Sequence, residues 1–156
     1  MPCTEWSNLT PLQLGRYAEY YAKMEFASYG YEVFTSEVDD KGVDFVCRKI
    51  VDPFCEIQVK AVRKYNPTFM LKDHMDVKSI NRFICLLRFE DGSLPEVYLI
   101  PASAWGTPNA LLKGYGYEGK KKSRPDWSIN LSKKNMPLLQ EFEISKTLAK
   151  LYRIQE

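Results

Sequence analysis

One stretch, Glu56-Ile57-Gln58-Val59-Lys60, constrains this chain more than any other. Side chains of an extended strand alternate between two faces, so Ile57 and Val59 fall on one side and Glu56, Gln58 and Lys60 on the other. β-Branched residues on one face and three strong polar groups on the other describe an exposed sheet face or the floor of a site. The preceding extended run, 43–49, helps to choose. Val43, Phe45 and Cys47 share one face there, and Asp44 takes the other, directly after Gly42. A hairpin about Val51-Asp52 brings Asp44 and Gln58 near the same end of the strand pair, with side chains able to share one face.

The elements around this pair follow from local signals. Thr10-Pro11-Leu12-Gln13 combines a capping residue, proline at the first helical position and glutamine at the third. It opens a helix predicted to run to about Tyr29, stopped by Gly30, with Leu14, Tyr17, Ala18, Tyr21 and Met24 as its apolar stripe. Strands are expected over 31–37, 43–49, 54–62, 82–89 and 96–100, with a turn at Asp39-Asp40-Lys41-Gly42. Residues 101–105 and 109–113 read as short helical turns, and 127–131 as a short extended piece. A last helix is expected from Asn135 to about Arg153, with Leu138, Phe142, Leu148 and Leu151 facing inward. No repeat, low-complexity tract or long linker divides the chain, so 1–156 is read as a single α/β domain around a mixed sheet.

Composition excludes several kinds of chemistry. With 156 residues, 45% hydrophobic and 27% charged, the chain has the balance of a soluble globular domain. Its longest apolar run, Phe83 to Leu87, is far short of the roughly 20 residues of a membrane span. The start, Met-Pro-Cys-Thr-Glu-Trp, does not resemble a signal peptide, so a cytoplasmic address is the expectation. Cys3, Cys47, Cys55 and Cys85 form no CxxC pair, which excludes a zinc ribbon and a thioredoxin-like motif. Cys47 and Cys55 could face each other across the hairpin, and free thiols are expected in a reducing compartment. The single histidine, His74, in a polar and charged stretch, excludes a multi-histidine metal centre. Neither GxxxxGK[ST] nor GxGxxG occurs. Carboxylates, lysines and an oxygen-ligated metal remain.

Asp44, an oxygen-bearing side chain at 58 and a lysine two residues later form a set with known relatives. G-V-D-F-V, a short loop and then E-I-Q-V-K resembles the PD-(D/E)XK nuclease superfamily, by motif over about 10–62 and by pattern over 82–105. The resemblance implies a restriction-endonuclease-like αβββαβ core, with a mixed central sheet flanked by helices. It also implies catalytic positions at Asp44, Gln58, Lys60 and, in the first helix, Glu19. Gln58 stands where the family usually has an acid. This PD-(D/Q)XK form resembles group I intron homing endonucleases. The implied ion is Mg²⁺ or Mn²⁺, held by Asp44, Gln58, the Val59 main-chain carbonyl and Glu19, with Lys60 orienting or deprotonating water or stabilising the pentavalent charge. Glu56, about 7 Å along the strand from residue 58, is a possible substitute carboxylate. Glu19 has a second reading, as the ion-pair partner of Lys23 one turn on.

Charge distribution adds a partner. Residues 1–60 carry 6 basic and 10 acidic side chains, whereas 61–156 carry 16 and 10. Between Lys113 and Lys134 lie seven basic and two acidic residues, including Lys120, Lys121, Lys122 and Arg124, with Tyr115 and Tyr117 among them. Cations for phosphates and flat rings for bases are the composition of a nucleic-acid surface; the other reading of this segment is a solvated basic loop. The resemblance, with this charge pattern beside it, implies a divalent-metal-dependent DNA endonuclease, with RNA left open as substrate, acting as a homodimer or homotetramer so that two sites cut two strands. The alternatives are a catalytically inactive nuclease-fold DNA-binding protein and an unrelated α/β interaction module.

Overall fold

A computed structural model of the chain describes residues 1–38, 41–116 and 124–155, the side chains of 152–155 excepted. The first helix, α1 (Pro11–Ser28), begins as its capping box dictates. Thr10 Oγ1 accepts from Gln13 N–H at 3.2 Å, and Gln13 Oε1 accepts from Thr10 N–H at 2.9 Å. It ends at Gly30, whose φ of 86° suits a residue without a side chain. Leu14, Ala18, Ala22 and Phe26 form the buried stripe. Met24, expected in that stripe, is 60% exposed: it lies two positions from both Ala22 and Phe26, which turns it off the apolar face.

Strands β1 (Glu32–Thr35), β2 (Phe45–Arg48) and β3 (Cys55–Arg63) form an antiparallel meander. The chain then crosses through β4 (Thr68–Leu71) and returns as β5 (Arg82–Phe89), parallel to β3, before β6 (Glu96–Pro101) pairs antiparallel to β5. The main sheet has the order β1-β2-β3-β5-β6 and is mixed, as expected. Every residue of β5 is buried, as a central strand covered on both faces requires.

Three parts of the sequence reading are corrected. Residues 109–113 are not a helical turn: Leu112–Tyr115 is a strand, β7, paired with β8 (Asp126–Ile129). β4 joins the other side of β8, giving a second, three-stranded sheet of order β4-β8-β7. The crossover itself is irregular, holding β4 and a single 3-10 turn, Lys72–His74. The last helix is two, α2 (Met136–Gln140) and α3 (Ile144–Gln155). The break has a tertiary cause, because Leu99 N–H donates to Phe142 O at 2.8 Å and Tyr98 bridges to Glu143, drawing this backbone onto the edge of β6. Leu138 is 37% exposed rather than inward, whereas Leu148 is buried and Phe142 and Leu151 are partly so.

Two cores lie against opposite faces of the main sheet. On one face α1 and α3 cover Phe45, Ile57, Phe83, Cys85 and Leu87; on the other, the second sheet and the turn Ala102–Gly106 cover Val62, Ile84, Leu86 and Ile100. Among the described residues no helix is long and apolar enough to cross a membrane.

Candidate active site

The site is built where β2 and β3 part. The register sets Phe45 against Ile57, but it is Asp44 N–H that donates to Ile57 O, at 2.9 Å. That bond is one residue out of register, so the start of β2 carries an extra residue, a bulge of the kind that re-aims a side chain. The Asp44 carboxylate is thereby turned onto β3, where Oδ2 accepts from Val59 N–H at 2.6 Å. A short bond to an ionised acceptor is about twice as strong as a neutral one and fixes the carboxylate's orientation.

Gln58 and Lys60 point to the face of β3 that carries Val62, while Ile57, Val59 and Ala61 face α1. Gln58 is 9% exposed, and its Oε1 is buried with no hydrogen-bond partner. A buried acceptor left unpaired costs about 1–3 kcal/mol, a cost that a cation or donor placed there would remove. The amide lies under Gly42, where a Cβ would sit 3.0 Å from Gln58 Oε1 and 3.1 Å from Arg82 Nη2. At φ 74° and with no room beside it, position 42 accepts only glycine without rearrangement.

Arg82 is the residue that sequence reasoning missed. It is 5% exposed, and its Nη2 donates to His74 O at 2.8 Å, Gly42 O at 3.0 Å and Lys41 O at 3.2 Å. Its Nη1 lies 3.7 Å from Glu56 Oε2. One guanidinium thus ties the loop before Asp44 and the 3-10 turn of the crossover to the first residue of β5. The signal was present: a charge opening the otherwise apolar run Arg82-Phe83-Ile84-Cys85-Leu86-Leu87 needs a buried partner. Glu56, considered as a substitute carboxylate, is the Arg82 partner.

Glu19 pairs with Lys23 at 3.2 Å, both side chains about one-fifth exposed. Lys23 Nζ lies 6.0 Å from the Phe45 ring, next in sequence to Asp44. α1 packs on the face opposite Gln58 and Lys60: Asp44 lies at the strand junction, Gln58 and Lys60 on one face and Glu19 on the other side. Among the described residues no group of three or more His, Cys, Asp or Glu side chains is placed to hold a metal ion.

Of the basic segment, Tyr117, Lys120, Lys121 and Lys122 lie outside the described residues. Tyr115 on β7 is 39% exposed and shares the outer face of the second sheet with Lys113 and with Phe69, which is 54% exposed. Arg124 donates to Asp73 Oδ2 at 2.8 Å in an exposed ion pair.

Solved structures resemble this fold where sequences do not. Hjc of Archaeoglobus fulgidus, a Holliday junction resolvase from an archaeal hyperthermophile, matches with a TM-score of 0.54 over 85% of this chain and 93% of its own, at 15% identity. The chain has the restriction-endonuclease-like fold. No family model and no curated protein matches the sequence. The likeness found is to a resolvase; it lends no support to the narrower resemblance to intron-homing endonucleases.

Proposed function

We propose that this protein is a divalent-cation-dependent nuclease that hydrolyses phosphodiester bonds of DNA. The observation that carries the reading is the Asp44 carboxylate fixed on Val59 N–H at 2.6 Å, between Gln58 and Lys60 in sequence space and on the same strand junction. The donors that fit a hard cation are all oxygens: the Asp44 carboxylate, the unpartnered Gln58 Oε1 and the Val59 carbonyl. That set suits Mg²⁺ or Mn²⁺. When bound, such an ion supplies positive charge at the scissile phosphate. Asp44 would anchor that charge, Gln58 would contribute an oxygen without adding negative charge, and Lys60 would bring a cation to the developing phosphorane. Glu19, paired with Lys23 on the α1 side of the sheet, lies outside this donor set.

Lys113, Tyr115 and Phe69 on the outer face of the second sheet, with Lys120, Lys121, Lys122, Arg124 and Tyr117 in the same stretch of chain, supply cations and rings for a nucleic-acid backbone and bases. A cytoplasmic homodimer or homotetramer, pairing two sites on a duplex, belongs to the same reading. A second reading rests on Arg82: a buried guanidinium beside Gln58 holds positive charge where the family's acid would hold a metal, as in a protein that binds DNA without cutting it.

Plasmid nicking separates the two. Wild type and Asp44→Asn are incubated with supercoiled DNA across Mg²⁺ and Mn²⁺ concentrations, and DNA binding is measured in parallel. The nuclease reading expects nicking by wild type and its loss in Asp44→Asn with binding retained. Binding without nicking by wild type establishes the second reading, and equal nicking by both proteins sinks the assignment of Asp44.

A further inference from the structure

The β2–β3 hairpin carries a second chemical feature, independent of the nuclease reading. Cys47 and Cys55 are direct cross-strand partners in the register, and both are free thiols. Residues directly opposite in an antiparallel pair have Cα atoms about 4.5–5.5 Å apart, inside the window of about 4.4–6.8 Å that a disulfide spans. The register therefore sets the two Cα atoms within the span that a disulfide requires. Access is unequal. Cys47 is fully buried, whereas Cys55 is half-buried and lines a cavity of about 530 Å³ whose walls also include Lys49, Ile80 and Lys150.

We propose that Cys47 and Cys55 form a redox pair, in which a hydroperoxide entering the cavity oxidises Cys55 and Cys47 resolves it to a cross-strand disulfide. The Cys55 thiolate attacks the terminal peroxide oxygen, the O–O bond breaks, the sulfur keeps that oxygen as a sulfenic acid, and the remainder leaves as alkoxide, which is hydroxide when the oxidant is hydrogen peroxide. The Cys47 sulfur then attacks the sulfenic sulfur; the S–S bond forms, and the sulfenic hydroxyl leaves with the thiol proton as water. Two electrons pass from the two sulfurs to the peroxide, so the atoms balance with no other reactant. The electrostatics agree with this division of roles. The hydrogen bond with Cys47 holds the Cys55 thiol below the usual thiol range, and the same bond, with burial, pushes Cys47 far above it. Cys55 is the nucleophile and Cys47 the resolving thiol. Cys85, wholly enclosed and pushed up by desolvation, takes no part.

Peptide mapping of the full chain tests this. The protein is treated with hydrogen peroxide, remaining thiols are alkylated, and the chain is digested with trypsin without reductant. Arg48 and Lys49 lie between the two cysteines, so the disulfide appears as two peptides joined with the loss of two hydrogen atoms and is released by dithiothreitol. In Cys47→Ser, the Cys55 sulfenic acid persists and is captured by dimedone. Recovery of separately alkylated Cys47 and Cys55 peptides, at peroxide doses that oxidise the exposed Cys3, overturns the proposal. A dimedone adduct on Cys47 in Cys55→Ser, with none on Cys55 in Cys47→Ser, overturns the assignment of nucleophile.

Discussion

Replacing Arg82 by methionine tests whether one buried guanidinium holds the loop that presents Asp44. Arg82 Nη2 faces three carbonyls, of His74, Gly42 and Lys41, at 2.8, 3.0 and 3.2 Å. A single nitrogen with two N–H groups serves two of these well and shares the third. Each hydrogen bond from a charged donor contributes about 1.5–3 kcal/mol, and methionine leaves the buried carbonyls unpaired. The expected loss is about 3–5 kcal/mol, the range seen when a buried charged partner is removed. Against a total stability of about 5–15 kcal/mol, that is a large fraction. The thermal midpoint should fall by about 10 °C, at roughly 2–4 °C per kcal/mol for a chain of this size. Glu56→Gln is the control. Its contact with Arg82 is 3.7 Å long and its side chain is 40% exposed, so solvent screens it and the loss should stay below about 1 kcal/mol. Urea unfolding followed by tryptophan fluorescence reads both variants, provided the slope with urea is unchanged. If Arg82→Met lies within about 1 kcal/mol of wild type, or costs no more than Glu56→Gln, Arg82 does not tie the two loops to β5.

Other outcomes follow from the same geometry. Gln58→Glu places a carboxylate beside Arg82, and the new ion pair should limit any gain in Mg²⁺ affinity to less than about tenfold; titration calorimetry showing a larger gain would detach Gln58 from Arg82. Gly114→Ala puts a Cβ 2.6 Å from the Trp127 ring, so the second sheet should lose about 1–3 kcal/mol, read as a lower urea midpoint; an unchanged midpoint contradicts the close approach. Glu25 has its carboxyl raised by burial and by Glu143, so the folded state binds its proton more tightly than the unfolded chain does. Stability then declines as pH rises from the unfolded carboxyl value through the raised one, and Glu25→Gln should gain a small stability above that window and none below it; equal effects at both ends of the range refute the sign. Alanine at Lys120, Lys121 and Lys122 should weaken binding of all DNA sequences alike and reduce the salt slope by up to about 0.9 per lost contact, whereas an unchanged slope assigns these lysines to solvent.

Much of the frame was legible because it is written in neighbouring residues. A capping box sets where α1 begins, period-two alternation marks β2 and β3, and the apolar run from Phe83 to Leu87 requires a strand covered on both faces. The same local order put Asp44, Gln58 and Lys60 on one pair of strands, and it placed Cys47 across from Cys55. Local order does not encode contacts between distant segments. β4 and β7 are strands because β8 lies between them, and the last helix breaks because Phe142 and Glu143 bond to β6. The bulge that turns Asp44 onto Val59 arises only when β2 meets β3. Arg82 became a member of the site only when β5 carried it beneath Gly42, where burial obliges a guanidinium to find the carbonyls of two separate loops. Short-range pattern determined the elements and the chemistry they carry; the tertiary structure decided which faces meet, because burial and hydrogen-bond satisfaction are settled between segments and not within them.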